Sequence, residues 1–207
     1  MNGIFESLKS FTRWPFMSRT IRSFFAFDIE DNRIMRRISE IQGILANSGA
    51  DLKLVSPQNI HLTIRFLGDI PMSIVDEIYE EMKNIQFSPF QIEIRGLGAF
   101  PKLNYPRVIW AGIKKGSNVL ENIFSQLEYR LRGLGFKKDK KGFSPHLTIA
   151  RVRTGRNKSR LAELITELED YEFGIINADC LRLKKSDLTP RGPIYTNLRE
   201  ICRKPDS

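Results

Sequence analysis

Residues 59–68 read Asn-Ile-His-Leu-Thr-Ile-Arg-Phe-Leu-Gly and residues 143–152 read Phe-Ser-Pro-His-Leu-Thr-Ile-Ala-Arg-Val, so His61 and His146 open two copies of one tetrapeptide. They are the only two histidines among 207 residues. A residue type used twice, and both times in the same local pattern, reads as one site. In an extended segment residues i and i+2 share a face, so His61 and Thr63 point one way while Leu62 and Ile64 point the other. His146, Thr148, Leu147 and Ile149 repeat the arrangement. Each copy is a polar edge on an apolar backing, and two such strands side by side present two imidazoles and two hydroxyls to one cleft. That set suits phosphoester chemistry. One neutral imidazole can take a proton while a protonated one gives it, and the hydroxyls can donate to phosphate oxygens. An arginine follows each copy, Arg65 directly and Arg151 two residues on.

Outward from the two copies, the chain alternates strands and helices. Residues 22–28 read as a buried strand and 31–48 as a helix with the stripe Ile34, Ile38, Ile41 and Leu45, ended by Gly49. The first motif strand, 60–67, precedes a helix at 73–86 (Ile74, Ile78, Met82, Ile85) and a strand at 90–99, and a loop at 100–106 ends that half. The second half repeats the order. A strand at 107–113 leads to a helix at 118–134 carrying Leu120, Phe124, Leu127, Leu131 and Leu134, then a basic loop at 137–142 and the second motif strand at 146–152. A helix at 157–170 and strands at 173–183 and 194–201 follow. The motifs lie 85 residues apart in what looks like an internal duplication. The expected architecture is α+β and bilobal: two small antiparallel-rich sheets flanked by outer helices, with the motif strands lining a central cleft. Residues 1–17, with Ile4, Phe5, Leu8 and Phe11 at helical spacing, read as an N-terminal extension of unknown role. Residues 18–207 read as a single domain.

The composition, 41% hydrophobic and 28% charged, is that of a globular protein. No apolar run approaches the roughly 18 to 20 residues that span a membrane, and the first 20 residues lack a secretory core. Cytoplasmic location is the default expectation. Cys180 and Cys202 stand far apart with no CxxC pattern and are expected to pack as small apolar side chains rather than pair. The net charge of +9 is concentrated: residues 102–160 hold fifteen Lys and Arg against three acids. Such a field attracts polyanions. Lys137, Lys138, Lys140 and Lys141 in the basic loop, with Lys102 and Arg107 at another, read either as contacts to a nucleic-acid backbone or as solvated loop charge. Trp110, mid-strand, is expected in the core.

The two His-Leu-Thr-Ile copies resemble the HxTx signature of the 2H phosphoesterase superfamily. Phe24-Phe25-Ala26-Phe27-Asp28, Pro106-Arg107-Val108-Ile109-Trp110-Ala111-Gly112 and Thr189-Pro190-Arg191-Gly192-Pro193-Ile194-Tyr195 sharpen the likeness to its RNA 2′,3′-cyclic phosphodiesterase branch, also known as 2′-5′ RNA ligase. The likeness covers roughly residues 20–200. It implies a pseudo-twofold 2H phosphoesterase fold and hydrolysis of RNA 2′,3′-cyclic phosphate ends to 2′-phosphomonoesters, with reversible ligation as the same chemistry run backwards. It also implies no metal or other cofactor. In that reading His61 is the proton donor, His146 the acceptor, and Thr63 and Thr148 hold the phosphate. Arg151 matches the family's arginine five residues after the second histidine. Arg65 is a second candidate for the phosphate, its alternative being to point away or pair with a carboxylate, and Phe143 is a candidate for stacking on a base or ribose, its alternative being a core role. Sequence symmetry by itself does not say which histidine is the donor. The partner is RNA with cyclic-phosphate ends, tRNA fragments among the candidates, met by a monomer away from any membrane.

Two other readings use the same residues: a phosphodiesterase of small cyclic phosphates, such as nucleotide 2′,3′-cyclic phosphates or ADP-ribose cyclic phosphate, and an RNA-end binding module without turnover. The basic middle favours a polymer over a small ligand. Neither histidine belongs to an HxxxH or HExxH pair, so a zinc site would need several unmarked carboxylates.

Overall fold

A computed structural model describes residues 19–140, 142–190 and 192–204. The proposed N-terminal extension, Lys141 and Arg191 lie outside the described residues.

In chain order the elements are β1 Thr20–Asp28, α1 Asn32–Ala46, β2 Leu52–Leu54, β3 His61–Pro71, α2 Val75–Lys83, β4 Phe90–Lys102, β5 Tyr105–Lys115, α3 Ser117–Gly133, β6 His146–Val152, α4 Lys158–Glu167, β7 Glu172–Ala178, β8 Cys180–Thr189 and β9 Gly192–Cys202. Two short 3-10 turns, Pro57–Asn59 and Met72–Ile74, precede β3 and α2. The strands form one antiparallel sheet in the order β7-β4-β5-β6-β3-β1-β8-β9, with β2 also pairing β6. The order mirrors itself about the β6–β3 junction. β5, α3 and β6 stand on one side as β1, α1 and β3 stand on the other. The fourth strand of each half crosses over: β4 lies beside β5, and β8 beside β1. Each lobe is therefore built from both halves of the chain.

At the junction of the lobes, β3 and β6 pair at one position, Leu62 with Leu147. Both leucines are fully buried, as are Ile64 and Ile149, and they share a core with the stripes of all four helices. The helices thus cover the apolar face of the sheet and leave its other face open. Burial of these side chains is worth roughly 1.5–3 kcal/mol each, so the register that turns Leu62 and Leu147 inward also turns the histidines outward.

Several expectations are corrected. The loop at 100–106 is instead a tight hairpin, β4 running to Lys102 and β5 beginning at Tyr105. The strand at 173–183 divides at Asp179 into β7 and β8, which serve opposite lobes. Cys180 and Cys202 do pair, as a disulfide between directly opposed residues of β8 and β9. Far apart in sequence, they are brought face to face by the hairpin, which only the topology reveals.

Candidate active site

On the open face the Leu62–Leu147 pair fixes the antiparallel register, which sets His61 beside Thr148 and His146 beside Thr63. All four side chains are partly buried. His61 shares a hydrogen bond between Nδ1 and the Asn59 carbonyl at 2.8 Å, and His146 the same bond with the Ser144 carbonyl at 2.7 Å. A carbonyl only accepts, so Nδ1 carries the proton in both rings and a neutral imidazole presents its Nε2 lone pair. Among the described residues neither Nε2 and neither threonine hydroxyl has a protein hydrogen-bond partner.

Each anchoring carbonyl is held by local geometry. Asn59 ends the 3-10 turn opened by Pro57, and its side-chain amide donates to the Pro193 carbonyl at 3.0 Å. Ser144 precedes Pro145, which biases its backbone to an extended form.

Alternation fails at one position in each copy. Phe25 pairs Arg65 while Ala26 pairs Thr63, leaving Ile64 as a bulge, and Ile109 pairs Ala150 while Trp110 pairs Thr148, leaving Ile149 as another. An extra residue inverts the phase of the strand beyond it. Arg65 and Ala150 are therefore turned to the core, and Phe66 and Arg151 return to the open face. Arg151 is exposed and near enough to His146 and Tyr195 for its charge to act on both: it adds to the burial that lowers His146, and it opposes the larger effect of burial that raises Tyr195.

Arg65 is thus not at the site. It is 8% exposed and its guanidinium is taken by Glu128, by Asp139 at 3.7 Å, and by the carbonyls of Phe66 and of Lys137 at 2.8 Å. Phe143 is likewise engaged elsewhere, stacked on Phe124 of α3 with ring centroids 5.1 Å apart. The expectation for Trp110 is corrected in the other direction. It lies on the open face beside Thr148, 6.4 Å between centroids from His146, with Phe100 at 5.0 Å from the same imidazole.

A Cβ on Gly98 would overlap the Trp110 ring, so the bare backbone there is what lets the indole lie flat. Gly98→Ala is expected to displace Trp110, cost about 1–3 kcal/mol of stability by overpacking, and lower kcat/KM through His146. Thermal unfolding and steady-state kinetics check both, and unchanged values would show that the indole has room to shift.

Around His61 the neighbours differ. Phe24 and Tyr195 each lie 4.9 Å from its ring. Lys184, 7% exposed, binds both oxygens of Asp28 at 2.6 Å. Burial is the first cause of the titration shifts and pushes His61 down to about 4. The Asn59 carbonyl and Asp28 pull it upward, and Lys184 and His146 push it lower. His146 is lowered by burial and by Arg151, against its bond to Ser144. Both imidazoles are therefore neutral in the free protein near pH 7. Phe24, Phe100, Trp110 and Tyr195 complete the site. Membership of the family-like segments marked Phe24, Trp110 and Tyr195 in the sequence, and nothing there marked Phe100.

A pseudo-twofold antiparallel sheet on whose open face each half places one imidazole and one hydroxyl defines a two-histidine phosphoesterase. The chain belongs to the LigT-like phosphoesterases, whose family model matches residues 29–110 and 113–195. It is 39% identical over 165 residues to the RNA 2′,3′-cyclic phosphodiesterase of Aeropyrum pernix, covering 80% of this chain and 94% of that protein. It is also 39% identical over 180 residues to the RNA 2′,3′-cyclic phosphodiesterase of Methanocaldococcus jannaschii, covering 87% and 99%. The fold matches that of Escherichia coli LigT in its apo form with a TM-score of 0.73 at 20% identity, over 90% of this chain and 99% of that one.

Proposed function

We propose that this protein hydrolyses RNA 2′,3′-cyclic phosphate ends to 2′-phosphomonoesters, with His61 and His146 as its acid–base pair. The observation that carries the mechanism is the matched anchoring of the two rings, which leaves both Nε2 atoms facing one side of the sheet. Water attacks phosphorus in line, giving its proton to Nε2 of His146. The bond from phosphorus to the 3′ oxygen breaks as Nε2 of His61 protonates that oxygen, leaving a 3′-hydroxyl and a 2′-phosphate. Thr63 and Thr148 donate to the non-bridging oxygens, and Arg151 supplies the cation that balances their charge.

The direction of transfer follows the family resemblance. Arg151 favours a neutral His146, while at His61 the pull of Asp28 toward the protonated form is outweighed by Lys184. Burial works against a proton on His61 in the free protein, so the charge of the bound phosphate must raise it. Ligation is the same chemistry reversed. The protein acts as a monomer in this reading, with tRNA fragments among its candidate RNAs. No helix among the described residues is long and apolar enough to cross a membrane. A cytoplasmic location belongs to the same reading, although the Cys180–Cys202 pair argues against it, since the cytosol generally keeps thiols reduced.

The test is the product from a short RNA ending in 2′,3′-cyclic phosphate, incubated with the protein in chelator. A 2′-phosphate end supports the proposal. Saturable binding with no product would favour an RNA-end binding module, and loss of turnover on chelation would point to a metal.

The titration shifts give a pH prediction. The competent form has one protonated and one neutral imidazole, and both free-protein values lie below the usual value near 6.5. Above both values each unit of pH removes about tenfold of that form, and below the lower value the base is lost. kcat/KM is therefore expected to rise as pH falls from 8 and to peak between about 4 and 6.5. A plateau across pH 7–8 would contradict this.

A further inference from the structure

We infer that Lys53 of β2, standing beside Arg151, forms a subsite for the phosphodiester on the 5′ side of the terminal nucleoside, so that a polymer end is preferred to a free cyclic nucleotide. The inference rests on the proposed function and deepens it. β2 is only three residues long and lies off the main strand order, filling the flank of β6 that β3 leaves beyond the Leu62–Leu147 pair. Its register places Lys53 directly opposite Arg151. Directly opposed side chains of an antiparallel pair have Cβ atoms about 5 Å apart, and like charges there repel.

No carboxylate among the described residues relieves that repulsion. Neither Lys53 nor Arg151 has an ion-pair partner there, and Asp51, the acid nearest Lys53 on the chain, is turned to Arg153 at 3.9 Å. Two unneutralised cations on one face ask for an anion.

The pair is also held rigidly. Gln42 of α1, 5% exposed, donates from Nε2 to the carbonyls of Val55 and Ile149, both at 2.8 Å. The Val55 and Arg153 amides bond the Ile149 and Asp51 carbonyls, each at 2.9 Å. Lys53 is exposed, but its backbone sits in a ladder locked to the bulge that aims Arg151. With Arg151 drawn toward the reacting phosphate beside His146, Lys53 stands one strand further out, where the next phosphate of a chain would lie. A mononucleotide cyclic phosphate has nothing to place there.

The test compares kcat/KM for a nucleoside 2′,3′-cyclic phosphate and for a dinucleotide ending in the same cyclic phosphate, using wild type, Lys53→Ala and Lys53→Arg. Wild type is expected to favour the dinucleotide by about tenfold, the scale of one charged contact. Lys53→Ala should lose that preference while keeping the mononucleotide rate, Lys53→Arg should retain most of it, and the salt slope for the dinucleotide should fall by about one in Lys53→Ala. Equal loss on both substrates, or on neither, would overturn the subsite. A wild type that turns over neither substrate would instead sink the proposed function, and the subsite with it.

Discussion

Alanine at either His61 or His146 is expected to lower kcat/KM on a cyclic-phosphate RNA by about a thousandfold, within the 10²–10⁴ that a positioned acid or base contributes. Each ring is held at Nδ1 by a backbone carbonyl, which leaves Nε2 to meet substrate in the proposed mechanism, so the expected loss falls on proton transfer. In the proposed mechanism the two act in one concerted step, so the double variant should be little worse than the poorer single one. Neither ring sits in the apolar core, which lies on the other face of the sheet, and the variants should unfold cooperatively with near wild-type circular dichroism. Steady-state rates with folded variants check this. Full rate in one variant would mean that its histidine takes no part in proton transfer.

Glu128→Ala is expected to cost about 3–5 kcal/mol of stability, the scale for stranding one member of a buried ion pair. Arg65 and Glu128 have side chains 9% and 7% exposed. Glu128 also accepts the Asp139 amide at 3.0 Å, while Arg65 donates to the Lys137 carbonyl. One node thus ties β3 and α3 to the segment that leads into β6. Without Glu128 the Arg65 guanidinium stays buried with only the more distant Asp139 and two carbonyls. Arg65→Met combined with Glu128→Leu should be far milder than Glu128→Ala, since it removes both charges together. Urea unfolding of the three proteins measures the difference, and a loss below about 1 kcal/mol for Glu128→Ala would mean that water reaches Arg65.

What the sequence made legible is what period and repetition encode. Two identical tetrapeptides announced the two adjacent strands, and alternation placed His61 and Thr63 against Leu62 and Ile64 correctly. The helical stripes of α1 and α3 were equally plain. Alternation also shows where reading stopped, because a bulge adds one residue without a signature of its own. Nothing in Ile64-Arg65 or Ile149-Ala150-Arg151 says that phase inverts there, yet that inversion buries Arg65 and exposes Arg151. β2 was missed because three residues carry no period. Cys180 with Cys202, Phe143 with Phe124 and Trp110 over Gly98 are long-range pairings. They depend on which strands lie side by side, and the crossing of β4 and β8 between lobes is not written in any local window.

The most direct test of the acid–base pair uses a cyclic substrate in which sulfur replaces the bridging 3′ oxygen. A thiolate leaves without needing a proton, so the acid becomes dispensable and the base does not. Rates are measured for wild type, His61→Ala and His146→Ala on both substrates. With His61 as donor and His146 as acceptor, His61→Ala regains most of its lost rate on the sulfur substrate while His146→Ala stays depressed. Recovery confined to His146→Ala would reverse the roles, and no recovery in either variant would contradict acid–base catalysis by the two imidazoles.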